Sequence, residues 1–204
     1  MKVIELTGGV GAGKSRILEL LRDRYGAKIL KADETARGLQ KKGQPGYEKI
    51  VNTFGTGILG PDGELDREKL ASLIFTDEAA REKINEIIHP LVWKQIHESV
   101  RTAREEGGAL FVVETAIPDQ NPDDIYDEVW YVYTLDDIRI RRLMESRGYS
   151  EKKALQIMES QYTKEQYQSL ADHVIDNQGS LSELENQIKK LLYFLENTDK
   201  DFDL

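Results

Sequence analysis

Gly8, Gly13, Lys14 and Ser15 fall in the order Gly-x-x-x-x-Gly-Lys-Ser inside the stretch TGGVGAGKS, residues 7–15. Glycines let a loop take left-handed backbone angles and let its amides close on phosphate oxygens. A helix starting at Lys14 adds about half a positive charge at the same point. The Lys14 ammonium would reach the β- and γ-phosphates, and the Ser15 hydroxyl would meet the Mg²⁺ that bridges them. Gly9, Val10, Gly11, Ala12, Gly13, Lys14, Ser15 and Arg16 are therefore read as a nucleoside triphosphate site. The competing reading is a glycine-rich turn whose serine only caps backbone amides. A dinucleotide fingerprint is excluded, because after Gly9-x-Gly11 its third glycine would fall at Lys14.

Such a loop works only between a strand and a helix, and the flanking sequence supplies both. Residues 3–7 read as a buried strand and Lys14–Tyr25 as a helix with Ile17, Leu18, Leu20 and Leu21 inward. AKILKAD reads as a second strand. Residues 33–104 read as helical text, punctuated at GQPG, FGTGILGPDGE and His89-Pro90. ALFVVE and VWYVYT read as buried strands separated by the loop TAIPDQNPDD, and DHVID as a last one. Leu181, Leu184, Ile188, Leu191, Leu192 and Leu195 recur at helical spacing, while residues 197–204 are expected to fray. The fold class is α/β: a phosphate-loop NTPase type of three-layer fold on a five-stranded, mostly parallel sheet, with a helical substrate cap and a helical lid. The core is assigned to residues 1–42, 107–135 and 171–196, the cap to about 43–106 and the lid to about 136–170.

Composition narrows the partners. Apolar residues at 39% argue for a packed core, and a net charge of −9 argues against a duplex nucleic-acid partner, which needs a basic face. Without cysteine there is neither a disulfide framework nor a thiolate metal site, and no apolar run approaches a membrane span. The expectation is a cytoplasmic protein, monomeric or a homo-oligomer. A guanine-reading Asn-Lys-x-Asp run is missing, and Asp176-Asn-Gln-Gly179 lies too late to be a GTPase switch. A small-molecule kinase fits the length, since it needs only a nucleotide loop, an acceptor site, a base and a lid.

From Val3 to about Leu192 the chain resembles the dephospho-coenzyme A kinases. The matching pieces are LTGGVGAGKS, ADETAR, FGTGIL with DGELDREKLASLIF, IIHP, and ADHVIDNQGS preceded by Gln161. The resemblance implies transfer of phosphate from ATP to the ribose 3′-hydroxyl of dephospho-CoA, the last step of CoA synthesis, with Mg²⁺. It implies that Asp33 is the general base, in place of a simple cap on a helix spanning residues 34–39. Arg37, one turn on, would hold an anionic part of dephospho-CoA, and His89 would stand near its CoA end; apart from the resemblance they read as a solvated charge and a helix stop. Arg142 matches the first lid arginine; Arg139, Arg141, Arg142 and Arg147 otherwise read as partners of Asp136, Asp137 and Glu145 on a wet helix. Asn177 matches a segment flanking adenine, or is a turn residue. Glu114, ending a strand, would help hold Mg²⁺ through water or else face solvent. Trp93 and Phe54 would line the pantetheine path under the resemblance and otherwise read as core residues, the reading preferred for both.

Three departures stand out. Lys31 replaces the first aspartate of the family's Asp-Ala-Asp, TAIPDQN replaces its Pro-Leu-Leu-x-Glu, and the lid's second arginine is displaced by one residue as Ser146-Arg147. Two further readings remain open: another nucleoside or nucleotide kinase, and a weakly catalytic regulatory protein that binds nucleotide or CoA.

Overall fold

The computed structural model describes residues 1–118 and 124–197. Part of the loop TAIPDQNPDD and residues 198–204 of the tail expected to fray lie outside the described residues, while Asn197 is the last residue of the final helix. The elements begin β1 (Lys2–Thr7), α1 (Lys14–Tyr25), β2 (Lys28–Lys31), α2 (Ala32–Leu39), α3 (Pro45–Phe54), a 3-10 turn (Thr56–Ile58), α4 (Arg67–Thr76) and α5 (Glu78–Glu105). They continue β3 (Leu110–Glu114), β4 (Glu128–Tyr133), α6 (Asp136–Arg147), α7 (Glu151–Glu159), α8 (Lys164–Leu170), β5 (His173–Asp176) and α9 (Leu181–Asn197). Two compact units result, Met1–Leu30 with Thr102–Leu204, and Lys31–Arg101.

The first unit is built on a sheet of order β2-β3-β1-β4-β5. β1 pairs in parallel with both β3 and β4, and β4 with β5. A strand flanked on both edges and covered on both faces has no solvent side, which is why β1 reads as a nearly unbroken apolar run. Its exception, Glu5, is fully buried and accepts a 2.7 Å hydrogen bond from the Thr115 hydroxyl. On one face Ile4, Leu6, Val112, Trp130 and Val132 pack with Ile17 and Leu21 of α1 and with Leu184 and Ile188 of α9. Each such burial contributes roughly 1.5–3 kcal/mol, so this layer holds the phosphate loop's two flanking elements rigidly together.

α1 has the predicted bounds and buries the four predicted residues, closing on Gly26 in the left-handed conformation. Two expectations shift. AKILKAD yields only a four-residue strand, because Ala32 and Asp33 already belong to α2. Leu181, placed by its spacing with the apolar stripe of the last helix, is 41% exposed and is the first residue of α9.

On the other face, Tyr167 of α8 stacks on Tyr131 of β4 at 4.8 Å and 6°, and its hydroxyl donates to the Ala116 carbonyl at 2.6 Å. Burial pushes both phenols up, Tyr167 to about 12. A phenol whose folded-state pKa exceeds its unfolded value of about 10 stabilises the fold fully below that value and loses its contribution as the pH rises through about 12. Urea midpoints are therefore expected to fall between pH 10 and pH 12. Tyr167→Phe should shrink that fall and leave only the part due to Tyr131.

The lid helices carry their own local signals. Ser150 caps α7 by accepting from the Lys153 amide, and Thr163 opens α8 with a capping box completed by Gln166. Gly148 ends α6 in the left-handed conformation.

The second unit is helical, with Ile50, Ile58, Leu70, Ile84 and Ile88 at its centre and Phe54 packed against them, as read from the sequence. Asp66 caps α4, accepting from the amides of Glu68 and Lys69 at 3.0 and 3.2 Å. Lys69 donates to the Gly57 and Leu59 carbonyls at 3.1 and 2.9 Å, which fixes the FGTGIL turn. His89-Pro90 is not a helix stop: α5 runs through it for 28 residues. Proline removes the amide that the Glu86 carbonyl would have used, but Glu86, His89 and Pro90 are all exposed, on a stretch of α5 where solvent can replace a lost partner. No helix among the described residues is long and apolar enough to cross a membrane.

Candidate active site

The stretch between β1 and α1 forms an open loop. Gly8, Gly11 and Gly13 all have positive φ, and Gly13, at 92°, stands at the N-cap position of α1. No side chain caps α1, so the positive end of the helix is presented by backbone alone. Ser15 and Arg16 are exposed in the first helical turn, with Arg16 paired to Glu19 at 3.3 Å. The Lys14 ammonium turns back along the loop, donating to the Gly8 carbonyl at 2.5 Å and lying 3.3 Å from a Glu114 carboxylate oxygen at the end of β3. Strand register brings that pair together, since Leu6 of β1 lies opposite Glu114.

Two brackets hold the loop's shape. The Ala12 carbonyl receives three donors: the Asn177 amide at 2.8 Å, the Thr134 hydroxyl at 3.0 Å and Arg142 at 3.3 Å. Arg142 also donates to the Asn177 carbonyl at 3.0 Å, so the lid arginine and the β5–α9 turn lock against one loop peptide. At the other end the Val10 peptide is held on both sides. Its N–H donates to the Gln161 side-chain oxygen at 2.9 Å, and its carbonyl accepts from Arg139 at 3.0 Å. Arg139 in turn donates to Gln161 and to Asp136, each at 3.0 Å. Gly9 is bare where Arg139 crosses it, and a Cβ there would collide with the guanidinium.

The structure thus gathers the loop, Glu114, Arg142 and Asn177 in the first unit. Asn177 is 8% exposed and spends its amide on Ala12, and of the expected lid ion pairs Arg139–Asp136 is formed. In the second unit, Asp33 and Arg37 are exposed one turn apart on α2. Lys31, not Asp33, is the N-cap residue of α2, and Asp33 makes no hydrogen bond or ion pair among the described residues. The capping alternative for Asp33 is thereby removed. His89 is exposed on α5.

Thr134, Arg139 and Gln161 were assigned no loop-holding role from the sequence. Gln161 was visible only as part of a matched segment, and nothing local marks Thr134 or Arg139 as loop partners 122 and 129 residues away. Gly13→Ala is expected to cost about 1–2 kcal/mol, because the new Cβ meets a left-handed backbone and the Asn177 amide at once. Urea denaturation reads that loss.

Among the described residues no group of three His, Asp or Glu converges in a way that would hold a metal. Among the described residues, Ser15 offers a hydroxyl and Glu114 a carboxylate beside the loop. So sparse a set does not suit a metal that needs a protein cage; it does suit Mg²⁺, which keeps waters and takes its remaining ligands from phosphates.

A family model described as dephospho-CoA kinase matches residues 2–183. A dephospho-CoA kinase of Staphylococcus epidermidis is 38% identical over 192 residues, covering 94% of each chain. One of Aquifex aeolicus is 36% identical over 192 residues, covering 94% of this chain and 96% of its own. Among solved structures, TT1252 from Thermus thermophilus superposes with a TM-score of 0.78 at 28% identity, covering 94% of this chain and 96% of that one. A shikimate kinase from Acinetobacter baumannii shares the fold at a TM-score of 0.51 and 18% identity, over 95% and 93% of the two chains.

Proposed function

Because the chain belongs to the dephospho-CoA kinase family, we propose that it transfers the γ-phosphoryl group of ATP to the ribose 3′-hydroxyl of dephospho-CoA, giving CoA and ADP. That is the final step of coenzyme A biosynthesis. The observation that carries the reading is the loop itself: an uncapped helix start, left-handed glycines and a lysine ammonium poised at the Gly8 end. Those features are arranged for the terminal phosphates of a nucleotide.

The acceptor oxygen attacks the γ-phosphorus in line, and the β–γ bridging oxygen leaves with the bonding pair. Gly9 to Arg16 bind the phosphates through the loop and the first turn of α1, and Lys14 meets the charge that spreads over the β- and γ-oxygens. Asp33 takes the proton of the acceptor hydroxyl, a role open to an exposed carboxylate with no competing bond among the described residues. Ser15 and Glu114 would hold Mg²⁺, which would supply charge neutralisation and alignment of the phosphates. Arg142 closes the lid over the nucleotide while fixing the loop, and Asn177 borders the donor's base. Arg37 and His89 are assigned to the anionic and distal parts of dephospho-CoA. The helical residues at about 43–106 act as the acceptor cap and residues at about 136–170 as the lid. The same reading has the protein act in the cytoplasm as a monomer, with ATP and dephospho-CoA as partners and neither nucleic acid nor membrane.

ADP release with dephospho-CoA, AMP and nucleosides as acceptors tests this. Turnover confined to dephospho-CoA is expected. Preference for AMP or a nucleoside would identify a different small-molecule kinase, and tight nucleotide binding without ADP would identify a binding protein.

A further inference from the structure

A pocket of about 670 Å³ opens in the first unit, between the end of β4 and the three lid helices. It lies within the size range of about 300–1,000 Å³ typical of small-molecule sites. Resting on the acceptor reading above, we propose that this pocket receives the adenine of dephospho-CoA and that Tyr162 is its stacking platform. Four observations support the assignment.

The first is position. Arg139 and Gln161 line the pocket, and both bond the Val10 peptide. The Lys14 ammonium, which reaches toward β- and γ-phosphates in such loops, points to the Gly8 carbonyl, so the Gly8–Val10 end is the terminal-phosphate end. Asn177 stands at the other end, against Gly13. A pocket beside Val10 therefore adjoins the acceptor rather than the base of ATP.

The second is connectivity. The reacting hydroxyl belongs to the ribose that bears the adenine, so the base hangs one glycosidic bond from that sugar. The pantetheine arm begins only beyond the diphosphate. The group nearest the terminal phosphate, apart from the ribose, is the base.

The third is charge. Asp136, Asp137, Glu159 and Glu165 outnumber Arg139 and Lys164 around the pocket, and Arg139 is already committed to Asp136, Gln161 and Val10. An acid-rich lining repels a diphosphate and suits an uncharged base with an exocyclic amine.

The fourth is the aromatic wall. Tyr162 is 36% exposed and backed by Tyr167 at 5.7 Å between ring centroids, and Tyr167 is itself stacked on Tyr131. The three rings form a braced platform, which lowers the ordering cost of stacking a purine on Tyr162. Lys164 lies 4.5 Å from the centre of the Tyr133 ring and leaves Tyr162 as the open aromatic surface.

Steady-state kinetics on Tyr162→Ala tests the assignment, with a melting curve to confirm folding. The KM for dephospho-CoA is expected to rise about tenfold, the KM for ATP to stay within about twofold, and Tyr162→Phe to keep the wild-type acceptor KM. Inhibition by AMP competing with dephospho-CoA should weaken in the alanine variant, with inhibition by phosphopantetheine unchanged. A rise confined to the KM for ATP would give the pocket to the donor and overturn the proposal. So would an unmoved acceptor KM, or weakened inhibition by phosphopantetheine in place of AMP. Wild-type protein that does not turn over dephospho-CoA removes the acceptor reading and this assignment together, whereas turnover with an unmoved KM removes this assignment alone.

Discussion

Lys14→Ala is expected to lower ATP-dependent turnover by on the order of 10³ or more while the protein still folds. The Lys14 side chain is only 11% exposed, held between the Gly8 carbonyl and Glu114. Its ammonium is therefore ordered before nucleotide arrives, and little side-chain entropy is lost when phosphates replace those partners. Removing it acts twice. The charge that builds on the γ-phosphoryl oxygens loses its counter-ion, and the Glu114 carboxylate, 20% exposed, loses the ammonium that lay 3.3 Å from it, leaving the metal alone to offset it against incoming phosphates. The two effects separate in the double variant Lys14→Ala/Glu114→Gln, which should recover part of the affinity for ATP measured without Mg²⁺ and none of the rate. ADP release with ATP titration distinguishes them. A folded Lys14→Ala protein with normal turnover would remove the mechanism.

Asp33→Asn is expected to reduce kcat by about 10²–10⁴ with the KM for ATP nearly unchanged. Asparagine keeps the shape of the side chain and loses its basicity, so the split between kcat and KM reports proton transfer rather than binding. Stability should change little. Asp33 accepts no hydrogen bond in α2, and the substitution forfeits only the attraction between a first-turn carboxylate and the helix dipole, about 0.3–1 kcal/mol. A structural role predicts the reverse: a lower melting temperature with intact turnover.

The parts of this molecule that were legible in the sequence are those fixed by neighbours along the chain. α1 could be delimited because Lys14 follows a glycine loop and Gly26 ends an apolar stripe, and both ends of the prediction match the helix. β3 and β4 were visible as apolar runs because central parallel strands have no polar face. The family match rested on whole segments and agrees with the model spanning residues 2–183. What failed or was missed depends on distant partners. Pro90 looks like a terminator in isolation, yet α5 continues because the affected turn is wet. Leu181 keeps the helical spacing of its neighbours and has no core to meet. The pairing of β1 with β3 and β4, the three donors on Ala12 and the clamp on Val10 join residues more than a hundred positions apart, and no local pattern records them.

The central place of β1 has a consequence for biosynthesis. Its two hydrogen-bonded neighbours begin at residues 110 and 128, so a ribosome must make more than a hundred further residues before β1 can be sandwiched. The donors that shape the phosphate loop come later still, at Thr134, Arg142 and Asn177. At about 5–20 residues per second, β1 waits for roughly 6–25 seconds with its apolar side chains unburied. Residues 2–15 thus take their final shape only after β4 and the later donors have been made, and chaperone dependence should concentrate on nascent chains that stop short of β4.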